Sequence, residues 1–234
     1  MNEQEFINEL KKIDITLSED QINKFKTYYE FLNNYNKHTN LTSIKDKEDV
    51  YLKHFYDSAL LTKTINFNNI NTMLDIGCGA GFPGIVIKIL YPNIKLTLLD
   101  SNNKKTTFCK ELINLLNLNN IEIINERAED YIKEKREYFD LVTARAVKNL
   151  RVLVELSIPY VKENNYFIAM KSDYIDELNE SITGIKLLGA EYLNTININL
   201  PNEKGVRNFI IIKKTTKTNT KYPRNYSQII KKPL

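Results

Sequence analysis

Four of the seven glycines in the chain lie within the eight residues from Gly77 to Gly84. An apolar segment that ends at Ile76 precedes them, and the apolar segment 85–90 follows. Glycine permits a positive φ and close approach of a ligand, and a helix behind such a turn presents free N–H groups and the positive end of its dipole. The spacing therefore predicts a strand, a tight turn and a helix that bind a nucleotide-type cofactor. The alternative, a purely structural turn, needs only one or two glycines.

Asp100 stands at the end of the next predicted strand, 19 residues after Gly81. A carboxylate here can accept hydrogen bonds from both ribose hydroxyls of an adenosine, which suits NAD and S-adenosylmethionine equally. The same carboxylate can also cap the helix that follows. Residues 79–84 satisfy G-x-G-x-x-G as well, so an NAD-dependent oxidoreductase stays open on spacing alone. That class needs an acid or base near its hydride site, and both histidines, His38 and His54, precede the glycines.

The elements that position these residues follow from apolar periodicity. Helical spacing and a capping box at Ser18 and Gln21 predict a helical N-terminal extension, 1–66, with a further helix over 47–64. Strands then alternate with helices and end in an antiparallel hairpin, which predicts an α/β fold with a doubly wound, seven-stranded sheet. The predicted strands are 71–76, 95–99, 121–124, 139–144, 166–170, 191–200 and 207–213, and the predicted helices begin at Phe82 or cover 104–116, 151–161 and 173–181.

Composition limits the classes of protein. A chain of 234 residues buries one substantial core, which we assign to 67–216, with a basic tail, 217–234, on or near it. No apolar run reaches the roughly 18 residues of a membrane span, and residues 1–5 are acidic and polar, unlike a secretion signal. We therefore expect a soluble, cytoplasmic protein. Two cysteines and two histidines have no metal-ligand spacing, so neither a disulfide framework nor a metal site is expected.

The net charge of +4 hides an asymmetry between the two ends of the chain. Nine cations and no acid follow Glu203, so the residues up to 203 sum to −5. Such a tail favours a polyanionic partner, although a solvated, lysine-rich terminus explains the charge as well. A polybasic membrane patch is a further alternative, but no lipidation motif or amphipathic anchor accompanies it.

Arg145 and Lys171 end the fourth and fifth predicted strands, at the edge where open α/β sheets bind their ligands. Read alone, a basic residue at a strand end is also commonly an exposed charge. His54 and Asp57, three residues apart on a predicted helix, suggest a local hydrogen bond or a packing contact more than an acid–base pair. Glu129, read alone, is a solvated acid at a helix start.

Several motifs of the chain occur in a fixed order. They are the residues 74–84, 99–101 with Lys104 and Lys105, 127–129, 143–146, 170–171 and 222–224, and nearer the start 36–37, 40–42, His54 and 57–58. Asp75 and the glycines after it resemble the D/E-x-G-x-G-x-G loop of class I S-adenosylmethionine-dependent methyltransferases. The ordered set resembles the bacterial small-subunit ribosomal RNA guanine-N7 methyltransferases, the RsmG or GidB family. The resemblance runs from about residue 28 to residue 234.

The resemblance implies a Rossmann-like class I methyltransferase that transfers a methyl group from S-adenosylmethionine to N7 of a guanine in the 530 loop of 16S ribosomal RNA. It implies a cofactor pocket in which Asp100 holds the ribose, Ala128 and Glu129 meet the adenine, and Gly77, Gly79 and Phe82 line the wall. It also implies that Arg145 is a cofactor-binding and catalytic residue and that Lys171 is a catalytic residue on the substrate side.

The same resemblance implies a partner, the small ribosomal subunit or its precursor, for a monomeric enzyme. In that frame the aromatic and basic tail residues Lys217, Lys221, Tyr222 and Arg224 are predicted to bind RNA by stacking and phosphate contact. Guanine N7 carries an available lone pair, so the transfer needs no general base. A non-catalytic RNA- or ribosome-binding module that keeps the cofactor pocket is the alternative.

Overall fold

The strand β1 (Thr72–Ile76) is buried along its whole length and pairs in parallel on both sides. The other strands are β2 (Lys95–Leu99), β3 (Ile121–Ile124), β4 (Phe139–Arg145), β5 (Val161–Lys171), β6 (Ala190–Asn199) and β7 (Val206–Lys214). In the computed structural model, which describes residues 1–145 and 148–234, they form one sheet in the order β3-β2-β1-β4-β5-β7-β6. The pairing is parallel from β3 to β5, and β7 is antiparallel to β5 and β6. The predicted α/β fold and its closing hairpin are confirmed.

The N-terminal section is helical, as predicted. Helix α1 (Glu3–Lys12) precedes α2 (Glu19–Thr39), which begins with the predicted capping box: Ser18 Oγ accepts from the Gln21 amide, and Gln21 Oε1 accepts from the Ser18 amide. The predicted helix 47–64 is a continuous segment of changing pitch. It runs through α3 (Lys47–Val50), a π-helical stretch (Tyr51–Tyr56), α4 (Asp57–Ala59) and a 3₁₀ turn (Leu60–Lys63).

Helices cover both faces of the sheet because side chains alternate along each strand. Met73 of β1 packs in one apolar cluster with the N-terminal helices, α5 (Gly84–Leu90) and α6 (Asn103–Leu115). The next residue, Leu74, packs in a second cluster on the opposite face. The helices of that second face are α7 (Ala128–Lys135), α8 (Leu150–Ser157), α9 (Ile175–Leu187) and α10 (Tyr226–Lys231).

Several boundaries differ from the predicted ones, and α9, for example, covers Ile175–Leu187 instead of 173–181. Helix α5 begins at Gly84 instead of Phe82, because Phe82 and Pro83 still belong to the turn. Helix α8 ends at Ser157, before Pro159, so that β5 begins at Val161, five residues earlier than predicted. Helix α7 has no counterpart among the predicted elements. Ala146, the last residue of the 143–146 motif, lies outside the described residues.

Among residues 1–145 and 148–234, no helix combines the length and the apolarity that a bilayer crossing requires.

Candidate active site

The glycine turn joins β1 to α5 and is fixed from both sides. The Gly77 and Cys78 amides donate to the Leu99 carbonyl at 2.7 and 3.2 Å, which ties the turn to the end of β2. Gly81 has φ +91°, and a Cβ there would lie 2.5 Å from Ile85 Cδ1 and 2.9 Å from the Tyr28 hydroxyl. That hydroxyl donates to the Ala80 carbonyl at 2.5 Å. The N-terminal helix α2 therefore holds the turn in place.

Asp75 supports the turn from inside the sheet. Its carboxylate is fully buried, and Oδ2 accepts from the Gly84 amide at 2.8 Å, where α5 begins. Oδ1 has no hydrogen-bond partner among the described residues. Burial raises the pKa of Asp75 to about 7, with Gly84 and Arg145 opposing the shift. This residue of the motif thus positions the backbone.

The raised pKa of Asp75 predicts a pH-dependent stability. A carboxyl whose folded-state pKa lies above its unfolded value near 3.9 contributes stability below that value, and the contribution is lost as the pH rises toward 7. Asp75→Asn has no proton to lose. We therefore expect the free energy of unfolding of Asp75→Asn to rise relative to the wild type by about 4 kcal/mol between pH 4 and pH 8.

Urea unfolding of both proteins across that pH range measures this difference. The exposed residue Asp130, replaced by asparagine, is the matched control and is expected to follow the wild type. A constant difference between Asp75→Asn and the wild type would contradict the raised pKa.

A cavity of about 400 Å³ opens where the carboxyl ends of β1 to β4 meet. All of the residues predicted to hold the cofactor line this cavity, whereas the predicted catalytic residue Lys171 does not. The predicted residues in the wall are Gly77, Gly79, Phe82, Asp100, Ala128, Glu129 and Arg145. The volume falls within the range of small-molecule and cofactor sites.

Asp100 lies at the cavity and does not itself cap the helix that follows, because the N-cap of α6 is Asn102. The carboxylate is buried beside the cavity; Oδ2 accepts from the Gly79 amide at 3.1 Å, and Oδ1 accepts from the Asn102 amide at 2.9 Å. The Lys105 ammonium lies 3.7 Å from Oδ2. Asp100 thus links the glycine turn to the start of α6. Each carboxylate oxygen has two lone pairs, so acceptor capacity toward the cavity is retained.

The segment after β3 forms another wall of the cavity. The Ala128 carbonyl accepts from the Tyr160 hydroxyl at 2.5 Å, which fixes the start of α7. The Glu129 side chain is buried, lies 3.7 Å from Arg127 Nη1, and has a pKa raised by burial. Its environment is therefore that of a cavity wall and not that of a solvated surface acid.

Arg145 is held at the cavity by residues about 90 positions earlier in the chain. Its Nη1 donates to Asp57 Oδ2 and to the Lys53 carbonyl, both at 3.2 Å, and Nη2 donates to His54 Nδ1 at 3.2 Å. The guanidinium carbon lies 5.1 Å from the centre of the Phe82 ring. His54 and Asp57 thus position Arg145.

His54 completes this arrangement as a neutral ring. It stacks on Phe82 with a centroid distance of 4.5 Å, and its Nε2 lies 2.9 Å from Thr42 Oγ1. Since Arg145 donates to Nδ1, the proton resides on Nε2 and is donated to Thr42. Burial and, after it, the charge of Arg145 lower the pKa of His54 to about 3. His54 is therefore neutral at physiological pH.

Lys171 contacts a neighbouring loop and helix α9. Its Nζ lies 2.7 Å from Glu177 Oε2 and donates to the Lys148 carbonyl at 2.5 Å. The exposed residue Lys148 lines the cavity. The structure thus shows Lys171 bound to Glu177 and to the loop that carries Lys148, and the predicted catalytic role of Lys171 stays a prediction.

The tail residues divide into two groups. Lys217 and Lys221 are exposed, as an RNA contact requires. Tyr222 is buried in the second core cluster, and Arg224 pairs with the fully buried Glu155, with Nε 2.8 Å from Oε1. The structure thus shows packing and an ion pair for these two residues, and their predicted RNA contacts stay a prediction.

The sequence analysis gave no cofactor role to several residues of the cavity wall: Leu41, Thr42, Lys105, Arg127, Lys148 and Tyr226. Arg127 lies three residues after the end of β3, so the rule that predicts Arg145 also points to it, whereas Lys105 lies within α6. Thr42 and Tyr226 come from segments outside the alternating core, and no local pattern assigns them to the cavity.

Comparison with known proteins agrees with this geometry. The family model described as "GidB: rRNA small subunit methyltransferase G" matches residues 21–205. The chain belongs to this family. Ribosomal RNA small subunit methyltransferase G of Bacillus velezensis is 44% identical over 237 residues, covering 100% of this chain and 99% of the relative. The protein of the same name from Lactobacillus acidophilus is 44% identical over 239 residues, with 100% of both chains covered.

A solved structure shares the fold of this chain. A SAM-dependent O-methyltransferase from Thermotoga maritima matches with a TM-score of 0.54 at 12% identity, covering 80% of this chain and 72% of that one. At that identity the likeness shows the fold alone. The class I methyltransferase fold implied by the sequence motifs is confirmed.

Proposed function

We propose that the chain transfers a methyl group from S-adenosylmethionine to N7 of a guanine in the 530 loop of 16S ribosomal RNA. The observation that carries the proposal is the convergence of Gly79, Asp100, Glu129 and Arg145 on one cavity in a member of the GidB family. We further propose that it acts in the cytoplasm, as a monomer, on the small ribosomal subunit or its precursor.

The cavity suits an adenosyl methyl donor on its own chemistry. Asp100 offers carboxylate oxygens to ribose hydroxyls, and the glycine turn offers backbone without side chains beside it. Ala128 and Glu129 offer a backbone amide and a carboxyl to the edge of an adenine. Arg145 offers a fixed cation for a carboxylate or a phosphate.

The residues present are those of a positioning enzyme. Bound S-adenosylmethionine supplies an electrophilic methyl group on its sulfonium. Guanine N7 is nucleophilic without deprotonation, and the neutral His54 is already engaged at both ring nitrogens. Catalysis then rests on holding N7 in line, and orientation of this kind contributes roughly 7–11 kcal/mol. Lys148, whose carbonyl Lys171 holds, is the side chain we assign to RNA phosphate or to guanine O6.

Equilibrium dialysis with labelled ligands tests the donor assignment. We expect S-adenosylmethionine and S-adenosylhomocysteine to bind and NAD to remain unbound. Binding of NAD alone would favour the oxidoreductase alternative. Donor binding without methyl transfer to small subunits would favour the non-catalytic module.

The exposed tail lysines predict a measurable salt effect. Each phosphate contact on single-stranded RNA contributes about 0.7 to the slope of log affinity against log salt concentration. We expect the double variant Lys217→Ala/Lys221→Ala to flatten that slope by about 1.4. Both side chains are exposed, so the fold is retained.

Filter binding of a fragment containing the 530 loop, between about 50 and 200 mM salt, measures the slope. Lys186→Ala, an exposed lysine on α9, is the matched control. An unchanged slope in the double variant would remove the tail lysines from the RNA interface.

A further inference from the structure

The C-terminal helix α10 brings an aromatic ring to the wall of the cavity. Tyr226, its first residue, lines the cavity together with Arg127, Ala128 and Glu129. The Arg127 guanidinium carbon lies 4.6 Å from the centre of the Tyr226 ring. Because Arg127 immediately precedes Ala128, the ring stands beside the wall that we assign to the adenine.

Contacts on both sides of Tyr226 hold this ring in place. Before it, Arg224 binds the buried Glu155 through its backbone amide, at 2.9 Å, and through its side chain. After it, Ile229 is fully buried. Further on, the Leu234 carbonyl accepts from Arg151 Nε at 2.8 Å. The position of Tyr226 is thus set by core contacts that do not involve its own ring.

The anchors also connect α10 to a second wall residue of the cavity. Glu155 belongs to α8, and its neighbour Leu156 lines the same cavity. The tail therefore contributes to the cavity wall in two ways. The Tyr226 ring forms part of the wall, and the contacts between Arg224 and Glu155 hold α8, which carries Leu156. A flat, half-buried aromatic ring in a cavity wall that also contains the apolar side chains of Leu99 and Leu156 has the chemistry of a surface for a planar heterocycle.

From these contacts we infer that Tyr226 is a binding residue for the adenine ring of the methyl donor, so that the C-terminal segment completes the cofactor site. This inference rests on the proposed function, since it assumes an adenosyl ligand. Arg127, whose guanidinium lies over the Tyr226 ring, keeps that ring oriented. The tail then has two tasks, RNA contact through exposed lysines and donor binding through Tyr226.

Calorimetric titration of the full chain with S-adenosylhomocysteine and with adenosine tests the inference. We expect Tyr226→Ala and Tyr226→Leu to weaken binding of both ligands about tenfold, within the range of base–aromatic stacking, and Tyr226→Phe to bind within about twofold of the wild type. Gln228→Ala, an exposed residue of the same helix, is the control and is expected to bind like the wild type. The leucine variant retains apolar volume and separates loss of the flat ring from loss of packing.

Unchanged affinity in Tyr226→Ala would overturn the inference while leaving the proposed function intact. A loss confined to S-adenosylhomocysteine would also overturn it, because the contact would then involve the amino-acid part of the ligand. Absence of S-adenosylhomocysteine binding to the wild type would contradict the proposed function as well.

Discussion

Replacement of Asp100 by alanine is expected to weaken binding of S-adenosylmethionine by a hundredfold or more. A hydrogen bond to a charged group contributes about 1.5–3 kcal/mol, and the carboxylate is assigned two such bonds to the ribose. The substitution also removes the acceptor of the Gly79 amide, so the glycine turn loses one of its links to the end of β2. Isothermal titration calorimetry of the variant measures the loss.

Two further variants separate these contributions. Asp100→Asn keeps one side-chain acceptor for the backbone but loses the charge, so an intermediate loss of affinity is expected. Asp130→Asn removes an exposed carboxylate on α7 and is expected to bind like the wild type. Wild-type affinity in Asp100→Ala would contradict the ribose assignment.

Arg224→Ala is expected to lower the free energy of unfolding by about 3 kcal/mol. Glu155 is fully buried, and its Oε1 accepts from Arg224 Nε at 2.8 Å, so the substitution leaves a buried carboxylate without its cationic partner. The Arg224 backbone amide still donates to Glu155, so the expected loss of stability lies at the lower end of the range for broken buried ion pairs. Chemical denaturation measures the change.

Lys221→Ala, three residues earlier and exposed, is the matched control and is expected to unfold within about 0.5 kcal/mol of the wild type. Glu155→Gln in the Arg224→Ala background removes the stranded charge and is expected to recover part of the loss. If Arg224→Ala instead weakened RNA binding at unchanged stability, the stabilising role of the ion pair would be contradicted and the predicted RNA contact of Arg224 would be supported.

Local patterns were sufficient for the sheet and for the glycine turn. The turn needs positive φ at positions close in sequence, and Asp100 lies at a strand end fixed by the order of elements. Helix α7 escaped prediction because its segment, from Ala128 to Lys135, is mostly polar and too short to establish a helical period. Its buried side starts with Ala128, whose role was indicated by the family motif alone.

Long-range pairing explains what the sequence left undetermined. Charge alone does not distinguish Arg224, which neutralises a buried carboxylate, from Lys217, which faces solvent. The partners of Arg145, among them Asp57, lie 88 to 92 residues away, and no spacing rule connects them. Tyr226 reaches the cavity only because the tail folds back over α8.

Site mapping of the transferred methyl group tests the central claim most directly. Small subunits that lack the modification are incubated with the protein and tritiated S-adenosylmethionine, and borohydride–aniline treatment then cleaves the 16S RNA at N7-methylguanine. The account predicts label and cleavage at one guanine of the 530 loop, and neither in the presence of Asp100→Ala at donor concentrations that saturate the wild type. Label at another RNA position, or none in RNA despite donor binding, would contradict it.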